Sequence, residues 1–367
     1  MPGVTVADVE EIKKLLHLMV KFKASDLHLK SGRPPIFRVF GRPLVQDKMP
    51  TCKDDAVDQL MKCVLSSEQI KKYHDNGVVE CSVMMEGLGR FRVNCFKVNS
   101  RMSVAIRHIN ATIPTFEDLL LPPAVKRLTM FNEGLVLVAG VTGSGKSTTL
   151  AAILEYINQN MKRHIITVED PVEYSFEDKK SFFNQREVGA DVPNFAMTLK
   201  YILRQDPDII LIGELRDMET IEMALTAAET GHLVFATIHA SSATQVFSRI
   251  LDTFPTERHT MVRQMLHLNI KGVLCQKLVR GIQEQHPRVP ACELMLMNTA
   301  FGEAIIEGRE SDIIELIRRF RQEGMIDFNS SLLELVTNKL IDSKEALAYS
   351  PNPDALKMQL RGFKSNE

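Results

Sequence analysis

The stretch Gly140-Val-Thr-Gly-Ser-Gly-Lys-Ser147 sets three glycines, a lysine and several hydroxyls at the spacing of a turn that can wrap a phosphate group. Glycines let backbone N–H groups turn inward around a β-phosphate, and a helix starting just behind them adds the partial positive charge of its N-terminus. On this reading Gly140, Thr142, Gly143, Ser144, Gly145 and Thr148 shape the cradle, Lys146 reaches the β- and γ-phosphates, and Ser147 ligates Mg²⁺. The implied ligands are ATP and Mg²⁺. The competing reading is a glycine-rich turn with no ligand, and context decides between them. Gly134 to Ala139 is short, apolar and β-branched, as in a strand buried on both faces. Thr148 to Ile157 carries Leu150, Ile153, Leu154 and Ile157 on one helical face. A strand, a loop and a helix follow in the order the chemistry needs.

Two later strands end in acids. Ile165 to Glu173 closes with Glu169, Asp170 and Glu173, and Asp208 to Glu214 closes with Glu214. Ligands bind at the C-terminal edge of a parallel sheet, where these acids fall. In many phosphate-loop ATPases the second strand ends in an Asp that helps hold Mg²⁺, followed by a Glu that orients water. Gly213 takes the Asp place, so Glu214 is expected to orient water. Metal binding then leans on Ser147, the phosphates and acids such as Glu169 acting through water. The plainer role for Glu214 is a salt bridge to Arg216. His232 and His239 flank a further strand. Seven residues apart, they would point to opposite faces and are not a bidentate metal site. Each is read either as a γ-phosphate sensor or as a hydrogen-bonded structural histidine.

From Gly134 on, strands alternate with helices, which predicts a parallel α/β domain with strands at 135–139, 164–168, 209–212 and 233–238. Their order is not derivable from spacing. The first 110 residues read as a smaller α+β domain. An amphipathic helix ends near Phe22, hairpin material covers Ser25 to Leu29 and Ile36 to Phe40, helices cover 54–64 and 67–76, and Val79 to Ile109 breaks into strands near 86–89 and 99–100. A two-residue turn at Asn99-Ser100 pairs Val93 with Ile106 and Arg92 with Arg107. Like charges directly opposite are destabilising unless an anion or carboxylate lies between them. The boundaries expected are 1–110, a linker at 111–118, and 119–367 with a helical region from about 299. Within the linker region, Thr115 to Asp118 has a capping pattern, and Pro122-Pro123 starts a short helix to Leu128.

The chain has 367 residues, 45 Lys plus Arg and 46 Asp plus Glu, so no global field draws it to nucleic acid or to an anionic membrane. Six cysteines at 52, 63, 81, 95, 275 and 292 include no C-x-x-C pair, which argues against zinc and against a disulfide framework. No signal-like N-terminus and no transmembrane segment is expected, so a cytoplasmic protein is expected.

With these residues in view, the chain resembles the secretion-type hexameric ATPases, and most closely the type IV pilus retraction ATPases of the PilT/PilU group. The resemblance runs from Ser25-Asp-Leu-His28 through the phosphate loop to Gln185-Arg-Glu-Val188, Gly213-Glu-Leu-Arg-Asp217 and Thr230-Gly-His232. It implies a PAS-like N-terminal domain joined to a RecA-like P-loop motor domain, a ring of six copies, and ATP with Mg²⁺ bound between the two domains. It assigns the acids around Glu169 to an Asp box, Glu214 to an atypical Walker B element, and His232 with His239 to a His box. It also places arginine fingers at Arg92 and Arg107. The implied function is ATP hydrolysis driving pilus retraction and twitching motility at the inner face of the membrane, with the inner-membrane pilus platform protein as partner and a paralogous retraction ATPase as a further one.

Two departures bear on this reading. Assembly and secretion relatives carry a four-cysteine zinc element that cannot be built here, which favours retraction over extension. The retraction signature, an Ala-Ile-Arg-Asn-Leu-Ile-Arg-Glu-like helix, falls at Ala300 to Glu307 with only its apolar skeleton kept. That motivates an alternative, a weakly hydrolysing accessory subunit of a retraction motor. A pilus-assembly or type II secretion ATPase, or a DNA-translocating RecA-like ATPase, is a further alternative; near-zero net charge and the lack of a basic, aromatic-interleaved patch argue against DNA.

Overall fold

The computed structural model describes residues 6–39, 42–45, 49, 51–52, 56–109 and 112–362. By its contacts the chain divides between Thr112 and Ile113 into two compact units, the second running through Val172 and again from Phe176. Asn110 and Ala111, where the sequence places the start of a linker, lie outside the described residues, as do Phe40 and Asp54.

The first unit contains α1 (Val6–Lys21), β1 (Ala24–Lys30), β2 (Ile36–Val39), β3 (Arg42–Val45), α2 (Ala56–Lys62), α3 (Ser67–Asn76), β4 (Val78–Met85), β5 (Gly89–Val98) and β6 (Arg101–Ile109). Among the described residues the strands form one antiparallel sheet in the order β3-β2-β1-β6-β5-β4. Strand alternation sends Leu27, Leu29, Phe91, Val93, Cys95, Val104 and Ile106 to one face, where they pack with Ile12, Leu16 and Met19 of α1. The opposite face is polar. Asn99 and Ser100 both have positive φ, 49° and 63°, which is the geometry of a two-residue hairpin turn. The turn sets the predicted register, with Val93 opposite Ile106 and Arg92 opposite Arg107. The sequence also marks the ends of α3 correctly: Ser66 and Gln69 form a reciprocal capping box, and Gly77 closes the helix at φ 74°.

The second unit runs β7 (Gly134–Ala139), α4 (Lys146–Asn160), β8 (His164–Glu169), β9 (Phe182–Glu187), α5 (Phe195–Ile202), β10 (Ile209–Ile212), α6 (Met218–Glu229), β11 (Leu233–Ile238), α7 (Ala243–Leu251), α8 (His259–Asn269), β12 (Ile270–Gln283) and β13 (His286–Leu296). Five further helices follow: α9 (Thr299–Ile306), α10 (Ile313–Arg319), α11 (Phe328–Thr337), α12 (Ser343–Tyr349) and α13 (Pro353–Leu360). The sheet order is β13-β12-β7-β11-β10-β8-β9, parallel throughout except for β13 at one edge. Every residue of β7, β10 and β11 is buried, which explains their unbroken apolar runs. The α/β class is as the sequence implies, and packing supplies the strand order that spacing left open.

Three strands go beyond the sequence reading. β9 sits at the sheet edge and carries Asn184, Gln185 and Arg186, so it lacks an apolar signature. β12 and β13 are long and interrupted by Lys271, Lys277, Arg280 and Arg288, and the hairpin end that they share, from Arg280 to Arg288, is largely exposed. The segment after Thr115 is a turn, although Thr115 and Asp118 do cap each other reciprocally at 2.9 and 3.1 Å. The short helix that follows is a 3-10 helix over Pro123–Thr129.

A buried carboxylate joins the end of the sheet to the helices. Glu293 of β13 is 1% exposed, and its Oε1 accepts the Ala243 N–H at the start of α7 at 2.7 Å. Burial pushes its pKa up to about 7, and nearby Asp327 adds to the rise while the Ala243 N–H opposes it. The folded chain therefore keeps a proton, between the ordinary carboxyl range and about pH 7, that the unfolded chain has given up. This group's contribution to stability falls as pH rises through that window and levels off above it. Glu293→Gln removes the dependence, so thermal melts should show the variant gaining on the wild type as pH is raised from about 5 to about 7.5. A Tm difference that does not change with pH would contradict this account.

Candidate active site

β7 runs directly into the glycine-rich loop at the C-terminal edge of the sheet. Gly140 has no room for a side chain: a Cβ there would overlap Ser144 Oγ and lie 2.7 Å from the backbone O of Gln276. Gly143 and Gly145 have φ of 78° and 92°, a region that L side chains rarely enter. Ser144 N–H donates to Val141 O at 3.1 Å, closing the turn. Gly145 is the residue before α4 and supplies no side-chain cap, so the start of α4 presents the positive end of the helix to the loop. Lys146 Nζ donates to Gly140 O at 2.9 Å and Val141 O at 3.2 Å, folded back over its own loop. Burial pushes its pKa down, and the charge of Glu214 opposes the shift. Ser147 is exposed at the second position of α4. Loop backbone, helix terminus and lysine together make a site for a polyphosphate.

The neighbouring strands bring their ends to the same edge. β11 pairs with β7 up to Ile238 and Ala139, which sets His239 level with Gly140. β10 lies beyond β11, and Thr237 Oγ1 holds Gly213 O at 2.5 Å while Leu215 N–H donates to Thr237 O at 2.9 Å. Glu214 follows, with His239 Nε2 3.0 Å from its Oε1 and Arg216 Nη2 2.6 Å from its Oε2. The salt bridge weighed as the plainer role of Glu214 is thus present, together with a histidine contact that sequence spacing did not reveal. Gly213 is tight as well: a Cβ there would stand 3.3 Å from Glu169 Cα and from Val168 O, so an Asp would crowd β8. Glu169 is buried at the end of β8, where Oε1 accepts Thr167 Oγ1 at 2.7 Å and Gln185 Nε2 at 3.3 Å. Asp170 and Glu173 are exposed.

Among the described residues no group of three or more His, Cys, Asp or Glu side chains could hold a metal ion. The donors that would fit Mg²⁺ are hard oxygens of another kind, the Ser147 hydroxyl and the oxygens of a bound phosphate, while Glu169 ends β8 at the same sheet edge.

A family model described as type II/IV secretion system protein matches residues 9–324. The type IV pilus ATPase PilU of Pseudomonas aeruginosa is 37% identical over 351 residues, 96% of this chain and 91% of its own length. The type IV pilus retraction ATPase PilT of the same organism is 40% identical over 344 residues, 94% and 99%. The chain belongs to the type II/IV secretion system family, in its PilT/PilU group. A crystal structure of the pilus retraction motor PilT with bound ADP superposes with a TM-score of 0.88 at 40% identity, covering 94% of this chain and 98% of the other.

The residues that the family resemblance adds are distributed unevenly. Arg92 and Arg107 lie side by side on the polar face of the first unit, and each has its own carboxylate on the flanking strand: Arg92 pairs with Glu80 of β4, and Arg107 Nε donates to Asp26 Oδ1 of β1 at 2.8 Å. These carboxylates relieve the repulsion that the register creates. His232 is not brought to the loop of its own chain. It stands at the opposite end of β11 from His239, about 20 Å away along the strand, and its Nδ1 lies 3.0 Å from Ala227 O and 3.2 Å from Thr230 Oγ1. The altered helix over Ala300 to Glu307 is α9 with its flanks. Phe301, Ala304 and Ile305 are buried in it, and Gly302 packs against the ring of His267, where any Cβ would collide.

Sequence reasoning missed one component of the site. A cavity of about 280 Å³ opens beside Gly145 and Thr148, lined by Leu119, Leu120, Leu278, His286 and Arg288. Its walls come from the stretch after the linker and from the β12–β13 hairpin, so no single sequence segment signals it. Gly140→Ala should break the loop without unfolding the sheet. Titration with a fluorescent ADP analogue should then show binding weakened by more than about tenfold at wild-type secondary structure by circular dichroism; unchanged affinity would refute the packing argument.

Proposed function

We propose that the protein is an Mg²⁺-dependent ATPase that drives type IV pilus retraction, and hence twitching motility, as a ring of six copies acting from the cytoplasm on the inner-membrane pilus platform. The observation that carries the reading is the single sheet edge that holds the phosphate loop, His239 and Glu214 on three adjacent strands. The names of its PilT and PilU relatives support the same assignment. Among the described residues no helix is long and apolar enough to cross a membrane, which is compatible with attachment through partners.

In this mechanism Lys146 exchanges the carbonyls of Gly140 and Val141 for phosphate oxygens, and the first-turn N–H groups of α4 take the β-phosphate. Ser147 and the acids reached through water would hold Mg²⁺, which when bound neutralises phosphate charge. Glu214 orients the attacking water, a role it takes up when one of its oxygens is released by Arg216 or His239. His239 holds the carboxylate in place and is positioned to report its state. His232, far from this edge, is assigned the structural role of closing α6. The base is received by the cavity beside Gly145, where Leu119, Leu120 and Leu278 offer apolar surface. Arg92 and Arg107 supply positive charge to the transferring γ-phosphoryl group, exchanging Glu80 and Asp26 for it.

Steady-state assays of the purified protein test the enzyme. Lys146→Ala should abolish turnover, and Glu214→Gln should lower kcat by about 10²-fold while retaining ATP binding; wild-type turnover no higher than that of Lys146→Ala would remove the reading. In cells, a deletion strain should be hyperpiliated and unable to twitch, whereas bald cells would indicate assembly instead. For the arginines, Arg92→Ala and Arg107→Ala should each lower kcat by about 10²-fold with the subunit folded, and full rates in both would defeat their assignment.

The altered α9 favours a second reading, a weakly hydrolysing accessory subunit. The signature of the resemblance has arginines where Gly302 and Ile306 stand, and Gly302 is committed to the His267 ring. Vigorous turnover by this chain alone would exclude that reading. Rates that remain unchanged when DNA is added would dispose of a nucleic-acid motor.

A further inference from the structure

Gln276 has no place in the catalytic scheme, yet it is 2% exposed and lies against the phosphate loop. The ladder between β12 and β7 ends at Cys275 and Ala139, so Gln276 stands beside Gly140, and its backbone O is one of the atoms that forbid a Cβ there. Its Nε2 donates to Thr149 Oγ1 in the first turn of α4 at 2.9 Å. Its Oε1 is buried with no hydrogen-bond partner, and so is Ser144 Oγ in the loop itself. A buried acceptor left unsatisfied is destabilising, and an apolar side chain in the strand would avoid the cost. The half of the amide that is satisfied joins the strand to the helix carrying Lys146 and Ser147.

The next residue points the other way, as strand alternation requires. Lys277 Nζ donates to Tyr349 O at the end of α12 at 3.0 Å and sits 4.3 Å from the centre of the Phe328 ring of α11. A cavity of about 510 Å³, lined by Thr142, Gly143, Ser144, Lys277 and Tyr349, lies between the loop and α12. Successive residues of one strand therefore grip the loop helix on one side and the C-terminal helices on the other.

We propose that Gln276 is a positioning residue for the phosphate loop and that, with Lys277, it makes β12 the link by which nucleotide binding reaches α12. The proposal rests on the reading that the loop binds a nucleotide. When phosphate draws Lys146 off Gly140 O and Val141 O, the loop shifts against Gln276, and the same strand shifts Lys277 under Tyr349.

ADP titrations and hydrogen exchange on the full chain test both halves. Gln276→Leu and Thr149→Val should each weaken ADP binding by about tenfold, and the double variant should be no weaker than either single one. Thr149→Ser, which keeps the hydroxyl, should restore near-wild-type affinity. A merely structural role would lower Tm without this non-additive loss of affinity. At saturating ADP, amide exchange in residues 343–349 should slow in the wild type and stay unchanged in Lys277→Met. Wild-type affinity in Gln276→Leu, or additive losses in the double variant, would overturn the positioning role. Protection of 343–349 that persists in Lys277→Met would overturn the link. If Gln276→Leu does not fold, Thr149→Val and Thr149→Ser carry the first test. Failure of the wild type itself to bind ADP would instead remove the ATPase reading.

Discussion

The nucleotide edge of this protein depends on the closeness of one backbone to its neighbours. Gly140 leaves β7 pressed between the Ser144 hydroxyl and the carbonyl of Gln276, with space for a hydrogen and nothing larger. That contact goes with an immediate turn, closed by Ser144 N–H on Val141 O, and α4 then begins without a side-chain cap. An uncapped helix start is unfavourable in isolation and becomes an asset when an anion completes it. Lys146 meanwhile holds the loop carbonyls.

The rest of the second unit carries that junction to its partners. Parallel pairing aligns the ends of β7, β11, β10 and β8, so that His239, Glu214 and Glu169 rise at one edge from positions scattered over 70 residues of sequence (169 to 239). The same pairing explains why Gly213 is glycine: β8 passes too close for an Asp. Glu214, in turn, is held by Arg216 on one oxygen and by His239 on the other.

In the first unit the governing constraint is a turn. Positive φ at Asn99 and Ser100 sets the β5–β6 register, and the register places two arginines opposite each other. Glu80 and Asp26 on the outer strands make this tolerable.

Much of this was legible in the residues because it is local. Glycine spacing, the apolar run of β7, the apolar face of α4, the acid-ended strands and the Asn99-Ser100 turn each express a short-range rule of backbone geometry or alternation. The family resemblance added only the finger and His-box roles of the arginines and histidines. What stayed hidden needed contacts between distant segments. The edge strands β9 and β13, and β12 beside β13, bury only part of their surface and so mix polar with apolar residues, and without β12 neither the cavity beside Gly145 nor the grip of Gln276 on Thr149 could be foreseen. His232 and His239 look equivalent in sequence, but strand length separates them, so only one reaches Glu214. The sequence by itself determined the chemistry on offer and the elements that carry it. Tertiary structure decided which groups meet, because strand order and burial depend on packing between segments far apart in the chain, for which no local pattern codes.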